Sequence, residues 1–335
     1  MGASDTSSPS APGSVSIDDI EQASDRIRSF AIRTPLLRYV PLDERVGAKV
    51  YVKPENLQRS GSFKFRGAFN RLSKLSSEER AAGVVAWSSG NHAQGVAAAA
   101  EILGIPATIV MPEDAPAIKT DGTRGYGAEI ISYDRYTEDR EEIGAALAAE
   151  RGAVLVPSYD DLDIIAGQGT CGLEIAQQTE DIGVTLDKLL VCCGGGGLIA
   201  GSSIAVKSAN PYTEIYSVEP DDFNDHKRSL RSGHRESNDP DARSICDALL
   251  SPTPGALTFP INRTNLTGGL SVSDEEVRAA MRFAFLDMKL VIEPGGAVAL
   301  AALLSGKLDF EGQSIGIVLS GGNVDPGVFA EIIGG

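Results

Sequence analysis

Lys64 is the residue in this chain best placed for covalent chemistry, held in SGSFKFRGAFN (60–70) between the ring of Phe63 and, two residues on, Arg66. A primary amine can form a Schiff base with a carbonyl and, once released, act as a base. The same residues also fit a solvated lysine at a helix start, so other motifs must decide. SSGNHAQG (88–95) gathers the hydroxyls of Ser88 and Ser89, the amide of Asn91 and the imidazole of His92. With the loop N–H groups they could cradle a substrate carboxylate or a ring hydroxyl. A helix cap by Ser89 or Asn91 would explain them without chemistry. VCCGGGGLIAG (191–201) sets Gly194, Gly195, Gly196 and Gly197 between an apolar run and a helical one. Backbone N–H groups of such a loop can surround a phosphate, although a permissive glycine turn reads the same way. No Lys-Ser or Lys-Thr follows and GxGxxG spacing is absent, which excludes a nucleotide-triphosphate loop and a dinucleotide fingerprint. A phosphorylated cofactor of another kind is implied. VLSGGN (318–323) ends a further apolar run and presents Ser320 as a neutral hydrogen-bonding group, or simply as part of a turn.

The elements that must position these groups alternate regularly. Ile17–Ser29 has helical spacing, and Ala48–Lys53 reads as a short strand. Pro54–Ser62 is then a loop that delivers Lys64 to a helix N-terminus, where free backbone donors favour an anion. From Gly83 on, the strand-like runs Val84–Trp87, Ala107–Met111, Ile130–Tyr133 and Val154–Pro157 alternate with alanine-rich helical stretches. The rhythm resumes at Leu189–Cys193, Ile215–Glu219 and Ile315–Leu319. Continuous apolar runs of this kind belong to parallel strands covered on both faces. The expected fold class is α/β, with two doubly wound open-sheet lobes and a site in the cleft between them. Residues 16–82 with 160–335 are assigned to a larger lobe, 83–159 to a smaller one, and 1–15 to a disordered tail.

Composition narrows the function further. At 335 residues and 42% hydrophobic, the chain can bury two cores. A net charge of -16 argues against nucleic-acid or anionic-membrane partners, because no cation excess is available for phosphates. It fits a salt-adapted surface as well as an ordinarily soluble one. No run approaches the roughly 18 apolar residues of a membrane span. The start of the chain lacks the parts of a signal peptide. Cys171, Cys192, Cys193 and Cys246 show no metal spacing and read as reduced thiols of a cytoplasmic protein.

Taken together and in this order, the motifs resemble the fold-type II (tryptophan synthase beta-like) pyridoxal phosphate enzymes, nearest the threonine and serine dehydratases and the serine racemases. The resemblance spans roughly residues 20–325 and includes IAGQGT (165–170) and EPGGAVALAA (293–302). It implies that Lys64 bonds the cofactor and takes the Cα proton, that Gly194–Gly197 hold its phosphate, that Asn91 meets the ring hydroxyl and that Ser320 meets the pyridine nitrogen, with Phe63 packed nearby. A neutral partner at that nitrogen fits loss of a β-substituent. The implied reaction is elimination of a β-hydroxyl from serine or threonine, leaving a 2-oxo acid and ammonia. Ser89 matches the serine that serves the opposite face in racemases, and Arg140 in TEDREEI (137–143) matches a position that can meet a diacid, which keeps 3-hydroxyaspartate open. An exposed ion pair would equally explain Arg140. EPDDFND (219–225) aligns Glu219, the Phe223 carbonyl and Asp225 with a Mg2+ or Ca2+ site. A homodimer acting on a small hydroxy-amino-acid is implied as well.

The chain departs from the family pattern at Cys246-Asp247-Ala248, which leaves that wall open. Its last residue, Gly335, leaves no room for a C-terminal regulatory domain. A hydrolase is poorly supported: His226 and His234 lie in a charged stretch and read as solvated, and no GxSxG occurs. A β-replacement synthase and a silent cofactor-binding protein are the other readings of the same fold.

Overall fold

The computed structural model describes residues 13–134 and 136–335. Its strands are β1 (Lys49–Pro54), β2 (Val84–Trp87), β3 (Ala107–Pro112), β4 (Glu129–Tyr133), β5 (Val154–Leu155), β6 (Lys188–Cys192), β7 (Glu214–Pro220), β8 (Gly268–Val272) and β9 (Ser314–Leu319). The helices of the first half are α1 (Ile17–Ile27), α2 (Val40–Val46), α3 (Lys64–Ser73), α4 (Ser77–Ala82), α5 (Asn91–Leu103), α6 (Ala117–Gly125) and α7 (Arg140–Arg151). Those of the second half are α8 (Leu162–Asp181), α9 (Gly197–Ala209), α10 (Asp225–Ser232), α11 (Thr258–Asn265), α12 (Asp274–Phe283), α13 (Pro294–Leu304) and α14 (Pro326–Gly334).

The strands form two wholly parallel sheets, ordered β1-β9-β6-β7-β8 and β4-β3-β2-β5. Helices must cover both faces of such sheets, which is why strand interiors such as Val50–Val52 and Leu189–Val191 are buried. The last strand, β9, inserts between β1 and β6. That insertion sets Ser320 and the tetraglycine loop side by side at the ends of adjacent strands.

Helix α3 joins the two halves. Its apolar side chains Phe65, Ala68, Phe69 and Leu72 pack in the same core as Val84, Ala86 and Ile109 of the smaller sheet. Although it precedes the boundary expected at residue 82, α3 thus packs side chains into the core of the smaller sheet, which strand rhythm could not show because α3 carries no strand. Its other face meets α8 so closely that a Cβ on Gly167 would lie 2.6 Å from the Arg66 carbonyl oxygen. The tail assigned to 1–15 lies outside the described residues as far as residue 12. Val15 is buried against Ile20 and Ala23 of α1, whose start is fixed by a Ser16–Asp19 capping box.

Arg66 anchors α3 from within. It is fully buried and bonds two carboxylates: Glu55 at 2.7 and 2.8 Å, and Glu174 of α8 at 2.7 and 2.9 Å. Lys53 of β1 completes the set at 2.6 Å from Glu174, so two cations balance two anions. Burial alone would raise the Glu55 carboxyl, but Arg66 and Lys53 outweigh it and hold it below its usual range. Removing one member strands a buried charge. Arg66→Met should lower unfolding stability by about 3–5 kcal/mol, read as a shift in the midpoint of urea denaturation; an unchanged midpoint would show that the network holds nothing.

Candidate active site

Lys64 is the first residue of α3 and is reached through a tight turn. Ser60 (φ 58°) and Gly61 (φ 74°) are both left-handed, an uncommon conformation for a serine. A bridge between Ser62 and Gly321 and a 3.1 Å bond from the Phe63 N–H to the Ser320 carbonyl then dock this turn on the end of β9. The lysine amine donates to the Ser158 carbonyl at 2.8 Å and lies 5.1 Å from the Phe63 ring centroid. Burial pulls its pKa down to about 8. Gly95 of α5 is pressed against this segment, since a Cβ there would meet the Lys64 carbonyl carbon at 3.0 Å.

The glycine loop lies across from the lysine. Gly196 takes φ +93°, and α9 starts at Gly197 with no side-chain cap, leaving its first N–H groups available. The loop is held from behind: Thr258 donates to the Gly195 carbonyl at 2.6 Å, and Gly255 N–H donates to it at 3.2 Å. The Tyr159 ring covers Gly195 so closely that any side chain there would collide with it. Tyr159 did not stand out in the sequence, where an isolated aromatic in SYDD carries no spacing signal. Ser320 is buried beside the Cys192 thiol, which in turn feels the charge of Lys64. Lysine, glycine loop and serine thus converge on one cleft.

The SSGNH loop closes the opposite side. Ser88 Oγ accepts from Gly90 N–H at 3.1 Å, and Ser89 remains half-buried at the cleft. Asn91 is engaged at both ends of its amide: Nδ2 donates to Glu293, and Oδ1 accepts from Asn323 at 2.8 Å. Asn323 also donates to the Ser60 carbonyl at 2.8 Å, which ties this loop to the lysine turn. His92 is buried with Nε2 on the Val156 carbonyl at 2.8 Å. Burial, then the nearby Lys64, drives its pKa to about 3, so it is a neutral ring packed behind the loop.

Two residues that the sequence did not single out complete the cleft. Glu293 precedes α13, its side chain turned to Asn91 rather than to the helix N–H groups, and is pushed up to about 7 by burial, partly offset by Lys119. Lys119 of α6 reaches over from the smaller lobe, its amine 3.4 Å from where a Gly90 side chain would begin. It pairs with Asp247 and lies 3.8 Å from Glu293 Oε2. Burial alone would lower the Lys119 amine, but the two carboxylates hold it above its ordinary value. Arg140 is exposed at the start of α7 and makes no ion pair among the described residues; its charge reaches the Tyr159 hydroxyl.

The acidic segment lies beneath the glycine loop. Both oxygens of Glu219 accept backbone N–H groups of α10, from His226 and Lys227 at 2.8 Å each. Asp225 Oδ1 accepts from Asn238 at 2.6 Å, and the buried Phe223 lies in the turn between them. Burial, and then Asp225, raises Glu219 well above the usual carboxylate range; burial lifts Asp225 to about 6. Two buried carboxylates competing for protons are a donor set that fits a divalent ion. His226, read as solvated, is instead fully buried here, because His226 and Ser229 share the inward face of α10; His234 is exposed.

A half-buried lysine, a glycine loop at a helix start and a hydroxyl at a strand end define a site for a phosphorylated aldehyde. The chain belongs to the pyridoxal-phosphate dependent enzyme family, matching it over residues 27–321. It is 48% identical to the L-threo-3-hydroxyaspartate ammonia-lyase of Pseudomonas sp over 96% of this chain and 99% of that one. It is 49% identical to the enzyme of the same name from Saccharomyces cerevisiae, covering 95% of this chain and 96% of that one. Among solved structures, maize serine racemase superposes with a TM-score of 0.90 at 38% identity, over 95% of this chain and 96% of the other. The serine racemase of Dictyostelium discoideum gives a TM-score of 0.86 at 39% identity, over 93% of this chain and 99% of the other. The two-lobed α/β fold and the enzyme class expected from the motifs are therefore borne out.

An amine reacts with an aldehyde as the free base, and Lys64 loses its proton near pH 8 rather than 10.5. Cofactor loading of the apoprotein should therefore accelerate about tenfold per pH unit below that value and level off above it. Stopped-flow absorbance of cofactor uptake checks this; a rate still climbing toward pH 10 would place the amine in solvent.

Proposed function

We propose that the chain is a hydroxy-amino-acid ammonia-lyase, with 3-hydroxyaspartate favoured over serine and threonine. The observation that carries the reaction class is the Lys64 amine, depressed to about 8 and near enough to His92 of the SSGNH loop and to Cys192 before the glycine loop for their charges to interact. When bound, pyridoxal phosphate supplies an electron sink for the substrate Cα. Gly194–Gly197 would hold its phosphate, Ser320 its ring nitrogen, Asn91 its ring hydroxyl and Phe63 its edge. Ser88, Ser89 and the N–H groups at the start of α5 would bind the substrate carboxylate, while Lys64 takes the Cα proton. The neutral Ser320 supports rapid loss of the β-hydroxyl over other fates. Ser89, on the opposite side of the cleft, supports a secondary racemase activity. His92 serves by packing behind the loop rather than by contact.

The substrate preference rests on charge. A diacid needs a cation for its second carboxylate, and Lys119 beside Gly90 is the buried one at the cleft. Its partner Asp247 is 42% exposed, so a substrate carboxylate can displace it at small cost. Arg140, in the first reading the diacid contact, is exposed and farther out against Tyr159, where it supports recruitment. The names of the two hydroxyaspartate relatives point the same way. Lys119→Met should lower kcat/KM for 3-hydroxyaspartate about 10- to 100-fold more than for serine, whereas Arg140→Ala should change the ratio little; 2-oxo acid release measures both. The opposite pattern would return the role to Arg140, and no release from any of the three substrates by the cofactor-loaded protein would refute the lyase.

A divalent ion at Glu219, Asp225 and the Phe223 carbonyl, read from sequence as Mg2+ or Ca2+, belongs to the same proposal. So does a homodimer, supported by a partly exposed apolar patch. Ile32, Leu57 and Val291 lie together there through bonds from Gln58 to the Ile32 carbonyl and from Asn56 to the Val291 carbonyl. Four free cysteines, all buried, support a reducing, cytoplasmic setting. Among the described residues no helix is long and apolar enough to cross a membrane.

A further inference from the structure

Three buried polar atoms under the glycine loop lack hydrogen-bond partners: Asp225 Oδ2, His226 Nδ1 and Asn262 Oδ1. Buried polar atoms are normally satisfied, so three in one place require an explanation. Asp225 Oδ2 and His226 Nδ1 lie 3.9 Å apart, and Glu219, Asp225 and His226 each offer a ligand atom within 4.8 Å of the others. All three residues are buried. We propose that His226 is a nitrogen ligand of the divalent-cation pocket, so that this chain's pocket prefers Mn2+ or Zn2+ to Mg2+ or Ca2+.

The charge and geometry are consistent. Two buried carboxylates match the two charges of the ion, and donors at this spread can close to the about 2.0–2.2 Å bonds of a first-row ion. An imidazole in place of a further oxygen is what separates such ions from Mg2+ and Ca2+, which take oxygen ligands. Asn262 supplies the orientation. Its amide nitrogen lies 2.9 Å from His226 Nε2. Half a turn of that amide presents Oδ1 to an Nε2–H, fixing the proton there and freeing the Nδ1 lone pair for the ion. One ion and one amide rotation thus give Asp225 Oδ2, His226 Nδ1 and Asn262 Oδ1 each a partner, in exchange for the long 3.4 Å bond that the Asn262 amide nitrogen donates to the Gly196 carbonyl. The ring cannot swing away to avoid the ion, because it lies against the loop: a Cβ on Gly196 would be 2.7 Å from Nε2.

The inference rests on the cation pocket put forward with the function, and the test separates the two. The cofactor-loaded full chain is freed of metal with a chelator and titrated with Mn2+, Zn2+, Mg2+ and Ca2+ by calorimetry, and the Mn2+ form is examined by pulsed electron paramagnetic resonance. Mn2+ and Zn2+ should bind at least about tenfold tighter than Mg2+ and Ca2+, and the Mn2+ signal should carry a directly coordinated nitrogen. His226→Gln should abolish both the nitrogen coupling and the preference while the ion still binds. Mn2+ bound without nitrogen coupling, or no preference, would overturn the role of His226 and leave an all-oxygen pocket standing. Failure of any ion to bind would overturn both, without touching 2-oxo acid release, which tests the lyase separately. The resonance signature needs no variant, so a His226→Gln protein that fails to fold would not shield the proposal.

Discussion

The buried charge set around Arg66 is the constraint on which the rest of the molecule depends. Arg66, Glu55, Glu174 and Lys53 come from α3, the loop after β1, α8 and β1 itself, and they are locked at 2.6–2.9 Å. The stretch from β1 to α3 and the distant α8 can satisfy those charges in one arrangement only, because any unpaired member would be stranded away from water. Two residues before Arg66 stands Lys64. Fixing the guanidinium therefore fixes where the lysine amine emerges, and the close glycine contacts of α3 with α5 and α8 leave it no freedom to slide.

The same burial tunes the chemistry. It pulls Lys64 down to about 8, holds His92 neutral and raises Glu293 to about 7. These shifts share one leading cause, burial, which acts in opposite directions on cations and acids. A free-base lysine, the form that reacts with an aldehyde, is thereby accessible near neutral pH without a neighbouring base to deprotonate it. Cross-cleft contacts then connect the lobes: Lys119 to Asp247 and Glu293, and Asn91 to Glu293 and Asn323. Asp247 stands between Cys246 and Ala248, the two residues at which the sequence departs from the family pattern, and the structure makes it the exposed half of the pair at the mouth.

Much of this was legible before any fold was seen, and the limits are physical. Parallel strands wrapped by helices leave continuous apolar runs, so the two sheets could be read directly. Lys64, the four glycines and Ser320 sit at strand ends, where local type and spacing carry meaning. Glu293, Lys119, Tyr159 and the partners of Arg66 could not be found that way, because their roles arise from contacts across up to 202 positions, as from Asn91 to Glu293. His226 misled for a related reason. Its neighbours in sequence are charged, yet the helical turn brings it inward with Asp225 and Ser229, while Lys227 and Arg228 stay half-buried. The bridging role of α3 was not legible either, because its phenylalanines pack with the smaller sheet while its arginine meets Glu55 and Glu174 on the other side.

A crystal structure of the cofactor-loaded protein tests the central claim most directly. The expected result is continuous density from Lys64 Nζ to the cofactor, the phosphate among the N–H groups of Gly194–Gly197, and the Arg66 network unchanged. A phosphate seated elsewhere, or a lysine that reaches the cofactor only after the Arg66 pairs have broken, would contradict the view that this buried network sets the geometry of the site.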